Sequence, residues 1–259
     1  PHTMSHSSHT HADQPHSHGD YVDANKAFFN ETAPTYDDLP GTVEIAQRQA
    51  AAMRKAYPSL FNEDTTTLMD YACGTGTSPS PPQPSPATVL TPTGLISREL
   101  CPYVKSIVGV DISQGMVDQF NLRVANQGLA PEEMRAECVT LTASAHELGG
   151  ARFDVIVCAA AYHHFASVEE TTRVLAGYLK PGGVLLVSDV LSDAEGSVIF
   201  PAHTHHVIAH KHGLSEADMR RTFEGAGLTD FELAELFECK IFGKDITVFL
   251  AKGVKPLGE

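Results

Sequence analysis

An apolar run that ends on an acid and opens at once into a glycine-rich turn narrows the folds open to this chain more than any other feature. Thr66 to Tyr71, with Asp70 near its end, is followed directly by Ala72-Cys73-Gly74-Thr75-Gly76. A short apolar run bounded this way reads as a strand, and glycines at its carboxyl end let the backbone approach a ligand closely. The pattern recurs at Ile107 to Val110, which ends in Asp111, and Ser113 is placed to cap a helix beginning near Gln114. Strands are expected near Glu137 to Leu141, at Phe153 to Cys158 and at Val184 to Val190, and a helix over Val168 to Leu179 that Lys180-Pro-Gly-Gly183 stops. A further helix over Ser215 to Ala226 precedes two strands, Phe231 to Phe237 and Asp245 to Ala251, whose short link suits an antiparallel edge. Strands alternating with helices make a doubly wound α/β sheet.

The sequence of 259 residues fits one core of this size, residues 21–259, preceded by a tail. That tail, residues 1–20, carries six histidines among Ser, Thr and Asp and is expected to be disordered. Asn25 to Asp38, with Phe28, Phe29 and Tyr36, and a helix over Val43 to Tyr57 are expected to form an N-terminal lid. Residues 77–94 carry six prolines where the first crossover helix should begin, so they cannot be helical. They also stretch the spacing from Asp70 to Asp111 to about 41 residues, where a ribose-binding acid lies roughly 20 beyond its glycine turn. The segment therefore reads as an insertion, after which Leu-Ile-Ser-Arg-Glu-Leu100 resumes the helix.

A net charge of -14 argues against a nucleic-acid partner, and the longest apolar runs are too short for a membrane span. The five cysteines are scattered without CxxC spacing, which predicts reduced thiols and an intracellular, cytoplasmic protein. Oligomeric state is not legible.

The chemistry lies at the strand ends. A glycine-rich turn with an acid on the next strand binds the ribose of an adenosine ligand. The turn lacks GxGxxG spacing, and Asp70 would repel a phosphate while suiting an ammonium group, so a cationic nucleoside fits better than NAD.

Four blocks, LMDYACGTG, IVGVDISQGMV, RFDVIVCAAAYHHF and LKPGGVLLVSD, span Leu68 to Asp189 in order. With them the chain resembles the class I S-adenosylmethionine-dependent methyltransferases, small-molecule type, similar to those of ubiquinone and menaquinone biosynthesis. The resemblance implies a Rossmann-like, doubly wound seven-stranded sheet, mostly parallel with an antiparallel C-terminal edge. It implies S-adenosylmethionine as cofactor, S-adenosylhomocysteine as product and a small-molecule methyl acceptor. It assigns Asp70, Ala72, Cys73, Gly74 and Gly76 to the methionine end, Asp111 to the ribose hydroxyls, and Ile112 and Met116 to the adenine faces. Ser144 and Ala145 take the adenine edge, where the family usually has an acid in place of Ser144; Ala72 replaces the family's first glycine. Tyr36 matches a lid tyrosine that reaches the methionine carboxylate, and Cys158 sits on the fourth strand beside the same site.

Methyl transfer from a sulfonium is an in-line displacement, so the protein supplies alignment and, where the nucleophile carries a proton, a base. Histidines stand after the fourth and fifth strands: His163, His164, His203, His205, His206, His210 and His212. His163, His206 and His210 are the expected catalytic residues; His206 and His210 would share a face if their segment were helical. No metal site is expected, since no acid or cysteine completes the histidine pair. The alternatives are a non-catalytic S-adenosylmethionine-binding regulatory or partner protein, and an NAD-dependent oxidoreductase.

Overall fold

The computed structural model describes residues 18–36, 42–75, 95–142, 144 and 146–258. The expected tail up to residue 17, the expected insertion at 77–94, Gly76 and Ala145 lie outside these residues.

Seven strands form one sheet: β1 (Thr67–Tyr71), β2 (Ser106–Asp111), β3 (Met134–Cys138), β4 (Phe153–Ala159), β5 (Leu179–Val190), β6 (Thr229–Ile241) and β7 (Lys244–Val254). Their order is β3-β2-β1-β4-β5-β7-β6, with the first five parallel and β7 antiparallel to both its neighbours. Among the described residues six α-helices accompany them: α1 (His18–Thr32), α2 (Thr42–Ala56), α3 (Leu95–Leu100), α4 (Gln114–Asn126), α5 (Val168–Tyr178) and α6 (Glu216–Gly225).

The central strands are buried on both faces because successive side chains enter different cores. Leu68, Val155, Val157, Val184 and Leu186 face α2, α3 and α4 through Ala50, Met53, Leu95, Ile96 and Phe120. Their alternates, Met69, Ile156, Cys158, Leu185 and Val187, face α5 and α6 through Leu175, Tyr178, Met219 and Phe223. Three helices begin on the expected kind of residue: Ser113, Ser167 and Ser215 each accept a bond from the backbone N–H three residues on. The β6–β7 hairpin turns on Phe242 and Gly243, both at positive φ, as a two-residue turn between twisted strands requires.

Several elements depart from the sequence expectation. β5 begins at Leu179, so that Lys180–Gly183, expected to stop the preceding helix ahead of a strand at Val184, lies inside the strand at a register shift against β4. The third strand lies at Met134–Cys138, about three residues early, because its register against β2 pairs Ile107 with Met134 and Asp111 with Cys138. The chain then leaves the sheet, and Leu141 is buried against the site instead. The lid helix α1 starts at His18, inside the segment expected to be a tail. The histidine-rich segment is not an α-helix: after a 3-10 turn at Ala202–Thr204 it continues in turns. A bridge between Leu191 and Leu214 ties the ends of this excursion together, so His206 and His210 share no helix face.

Candidate functional site

In the strand order, β1 and β4 are the neighbours from which the chain winds outward in opposite directions, and open α/β sheets bind ligands outside the carboxyl ends at such a point. A cavity of about 310 Å³ lies there. Tyr71, Ala72 and Gly74 line it from the end of β1, Val110, Asp111 and Ile112 from β2, and Ala160, Ala161, His164 and Phe165 from beyond β4. Helix α1 roofs it with Tyr21, Val22, Asn25 and Phe29, and Tyr36, Met116, residues 140–142 and the start of α5 complete the wall.

The glycine turn is wound tightly. Ala72 and Gly74 both take φ of +59°, with Cys73 between them bonded through its N–H to Val110 O at 3.0 Å. An alanine in this left-handed conformation is strained, by about 1–2 kcal/mol. Asp111 holds the turn from the neighbouring strand: its Oδ2 accepts from Gly74 N and its Oδ1 from Ser113 N, each at 2.9 Å. Burial pushes this carboxyl up, against the lowering effect of those amides. A carboxylate has about four lone-pair sites, so these amides leave capacity for a further donor from a ligand.

Helix α1 is latched over this region. Asn30 Oδ1 accepts from Ser113 Oγ and Gly115 N, both at 2.9 Å. Gly115 permits the approach, since a Cβ there would lie 3.2 Å from Asn30 O and 3.3 Å from Ala33 Cβ.

Of the residues expected at the cofactor, Tyr36, Ala72, Gly74, Asp111, Ile112 and Met116 line the cavity. Others are placed elsewhere. The carboxylate of Asp70 is buried against α3, where it accepts from Ser97 Oγ at 2.6 Å, and burial lifts its pKa to about 7. Cys73 and Cys158 are core residues, packed in the two clusters on either side of the sheet. Ser144 is exposed, and the wall beside it is formed by 140–142.

The expected catalytic histidines also divide. His163 is fully buried behind the wall, with Nδ1 2.8 Å from Asp189 Oδ1 and its ring stacked on Phe200 at 4.7 Å. Burial would raise Asp189, but His163 and the surrounding hydrogen bonds hold it below the usual carboxylate range. His206 is exposed and meets Phe28 edge-on, while His210 Nε2 is 2.9 Å from Phe165 O. None of the three lines the cavity. His164 does: the short 3-10 turn Tyr162–His164 sends adjacent histidines to different sides. Asn25, at the start of the expected lid, and Tyr21, just before it, also line the cavity, though the sequence singles out neither as a site residue, because nothing in a polar N-terminal stretch marks which lid residues face inward. Among the described residues no group of three His, Cys, Asp or Glu is arranged to hold a metal, and no helix is long and apolar enough to cross a membrane.

Residues 45–233 match a family model described as a methyltransferase domain. An uncharacterised methyltransferase of Schizosaccharomyces pombe is 31% identical over 176 residues, covering 64% of this chain and 55% of that protein. A demethylmenaquinone methyltransferase of Bacteroides fragilis is 27% identical over 164 residues, 62% of this chain and 58% of its own length. The chain thus spans little more than half of either relative. Among solved structures, the N-methyltransferase NodS of Bradyrhizobium japonicum in complex with S-adenosylhomocysteine superposes with a TM-score of 0.57. That match covers 92% of this chain and 99% of NodS at 14% identity, which is a likeness of fold.

Proposed function

We propose that this chain, which belongs to the methyltransferase domain family, transfers a methyl group from S-adenosylmethionine to a small-molecule acceptor. The observation that carries the reading is Asp111, a buried carboxylate at the end of β2 that both shapes the glycine turn and lines the cavity.

The residues present fit this cofactor. Among the described residues no lysine or arginine lines the cavity, so nothing they supply calls for a phosphate, and two carboxylates, Asp111 and Glu170, suit a cationic ligand. Asp111 would hold the ribose hydroxyls, Ile112 and Met116 the adenine faces, and Ala72, Gly74 and Tyr36 the methionine end. Gly76 and Ala145 remain candidates for that same contact set. The cofactor, when bound, supplies a methyl carbon made electrophilic by its sulfonium.

The protein's own work is alignment and exclusion of water. Phe29, Phe165, Tyr71 and Val174 give the cavity an apolar wall, and α1 covers it. Asp70 acts from behind, fixing α3 to β1. His163 and His210 act as framework: His163 anchors the turn after β4 to Asp189, and the backbone N–H of His210 donates to His163 O at 2.9 Å.

The test is product formation. Incubation with S-adenosylmethionine and a small-metabolite extract should yield S-adenosylhomocysteine together with a methylated metabolite. Tight cofactor binding with no turnover in any extract would refute methyl transfer and favour a regulatory binder.

A further inference from the structure

One stretch of the cavity wall has no secondary structure of its own. Residues 140–142 follow β3, just after Val139 N–H donates to Asp111 O at 3.0 Å, and they line the cavity together with Ile112 and Met116. None of these side chains is charged, so a ligand edge that meets this wall is read by main-chain N–H and C=O groups and by the hydroxyls of Thr140 and Thr142. Such groups discriminate between ligands only if the chain that carries them is held still.

Glu147 holds it. Its Oε1 accepts from Thr142 Oγ1 at 2.6 Å, and its Oε2 accepts from Thr142 N at 3.0 Å, from Ser144 N at 3.3 Å and from the hydroxyl of Tyr178. The Thr142 hydroxyl, and after it Tyr178, keep this carboxyl well below the usual range. Glu147 is itself not among the residues that line the cavity.

The backbone bends to make this arrangement. Leu148 takes φ of +51° and Gly149 φ of +64°, two left-handed residues in succession, and a leucine there is strained although its side chain packs in the core. Tyr178 ties the same carboxylate to the far wall. It ends α5, one helical turn beyond Val174, and Glu170, Thr171 and Val174 line the cavity from that helix.

We infer that Glu147 is a positioning residue that makes the cavity selective for adenine among purine bases, by fixing the main chain of 140–142 without touching the ligand. The inference rests on the S-adenosylmethionine reading of the same cavity. Adenine presents a donor at its 6-amino group and an acceptor at N1. Hypoxanthine reverses both, with an acceptor at O6 and a donor at N1. A mobile loop turns to suit either base, whereas a fixed one leaves the wrong base with unpaired polar groups.

S-adenosylhomocysteine and S-inosylhomocysteine differ only along that edge. Calorimetric titration of both into the wild-type protein, Glu147→Gln and Glu147→Ala, with circular dichroism as the check on folding, gives the ratio of their affinities. The wild type should bind the adenosyl compound at least about tenfold more tightly. Gln turns an NH2 group toward N–H or hydroxyl donors, and Ala offers them no acceptor, so in each variant the ratio should fall at least about threefold. Glu147 is half-buried and Gln keeps its size, so that variant decides if Ala does not fold. Equal binding of the two ligands by the wild type, or variants that weaken both alike and leave the ratio unchanged, would overturn the inference. In the second case the cofactor reading stands and this inference alone falls. If S-adenosylhomocysteine does not bind the wild type, both fall.

Discussion

Replacing Asp70 by Asn should change how the stability of the ligand-free protein depends on pH. Asp70 is 3% exposed, its hydrogen-bond donor is Ser97, and burial raises its pKa from 3.8 to about 7. The nearby charge of Asp111 adds to the rise, while Ser97 opposes it. Between these two pH values the folded protein holds a proton that the unfolded chain has released, so stability falls as pH rises. The loss begins above the unfolded value and is complete above the folded one. At about 1.36 kcal/mol for each pH unit that separates the two values, it amounts to about 4 kcal/mol in all, of which about 2–3 kcal/mol falls between pH 5 and pH 8. Asn keeps an acceptor for Ser97 and cannot ionise; its surplus amide hydrogens impose a cost of about 1–3 kcal/mol that does not vary with pH. Urea unfolding of both proteins at pH 5, 6, 7 and 8 isolates Asp70 in the difference, since the other carboxylates cancel. The variant should gain on the wild type by about 2–3 kcal/mol across that range. Parallel stability curves would show that Asp70 is not protonated in the fold and would overturn its assignment as a buried neutral acid.

Ala72→Gly relieves a left-handed alanine at about 1–2 kcal/mol and admits about 0.5–1 kcal/mol of unfolded-chain entropy, so a net gain near 0.5–1 kcal/mol in urea unfolding is expected. A loss would mean that the methyl group packs usefully. Asn30→Ala removes the acceptor shared by Ser113 Oγ and Gly115 N, and should speed proteolysis within α1 and weaken S-adenosylhomocysteine binding about three- to tenfold in calorimetry. Unchanged binding would separate the latch from the site. A variant joining Gly76 directly to Leu95 should unfold at no lower urea concentration than the full chain, because loop-closure entropy changes only slowly with length. Loss of folding or of S-adenosylhomocysteine binding would make 77–94 an integral part of the site.

Where local chemistry decides an element, the sequence was legible. The apolar runs of β1, β2, β4 and β5, the serine before α4, and the acid ending β2 each act through neighbours a few residues away. What the sequence hid depends on contacts between distant segments. The register of β3 is set by β2, not by its own alternation, and α1 extends to His18 while latched to α4 through Asn30. Asp70 reads as a ligand-facing acid until Ser97, 27 positions on, is seen to claim it. The two histidines after β4 look equivalent in sequence. Only the positions of Asp189 and Val207 turn His163 into framework and leave His164 at the cavity.

If the pocket beyond β1 and β2 is an S-adenosylmethionine site organised by Asp111, the product cofactor must bind there and must depend on that carboxylate. The decisive measurement is calorimetric titration of S-adenosylhomocysteine into the wild-type protein and into Asp111→Ala, with circular dichroism as the check on folding. One molecule should bind per wild-type chain, and the folded variant should lose about 1.5–3 kcal/mol of binding free energy, the scale of a hydrogen bond to a charged group. Absence of binding to the wild-type chain, or unchanged affinity in the folded variant, would remove Asp111 and its pocket from the cofactor role.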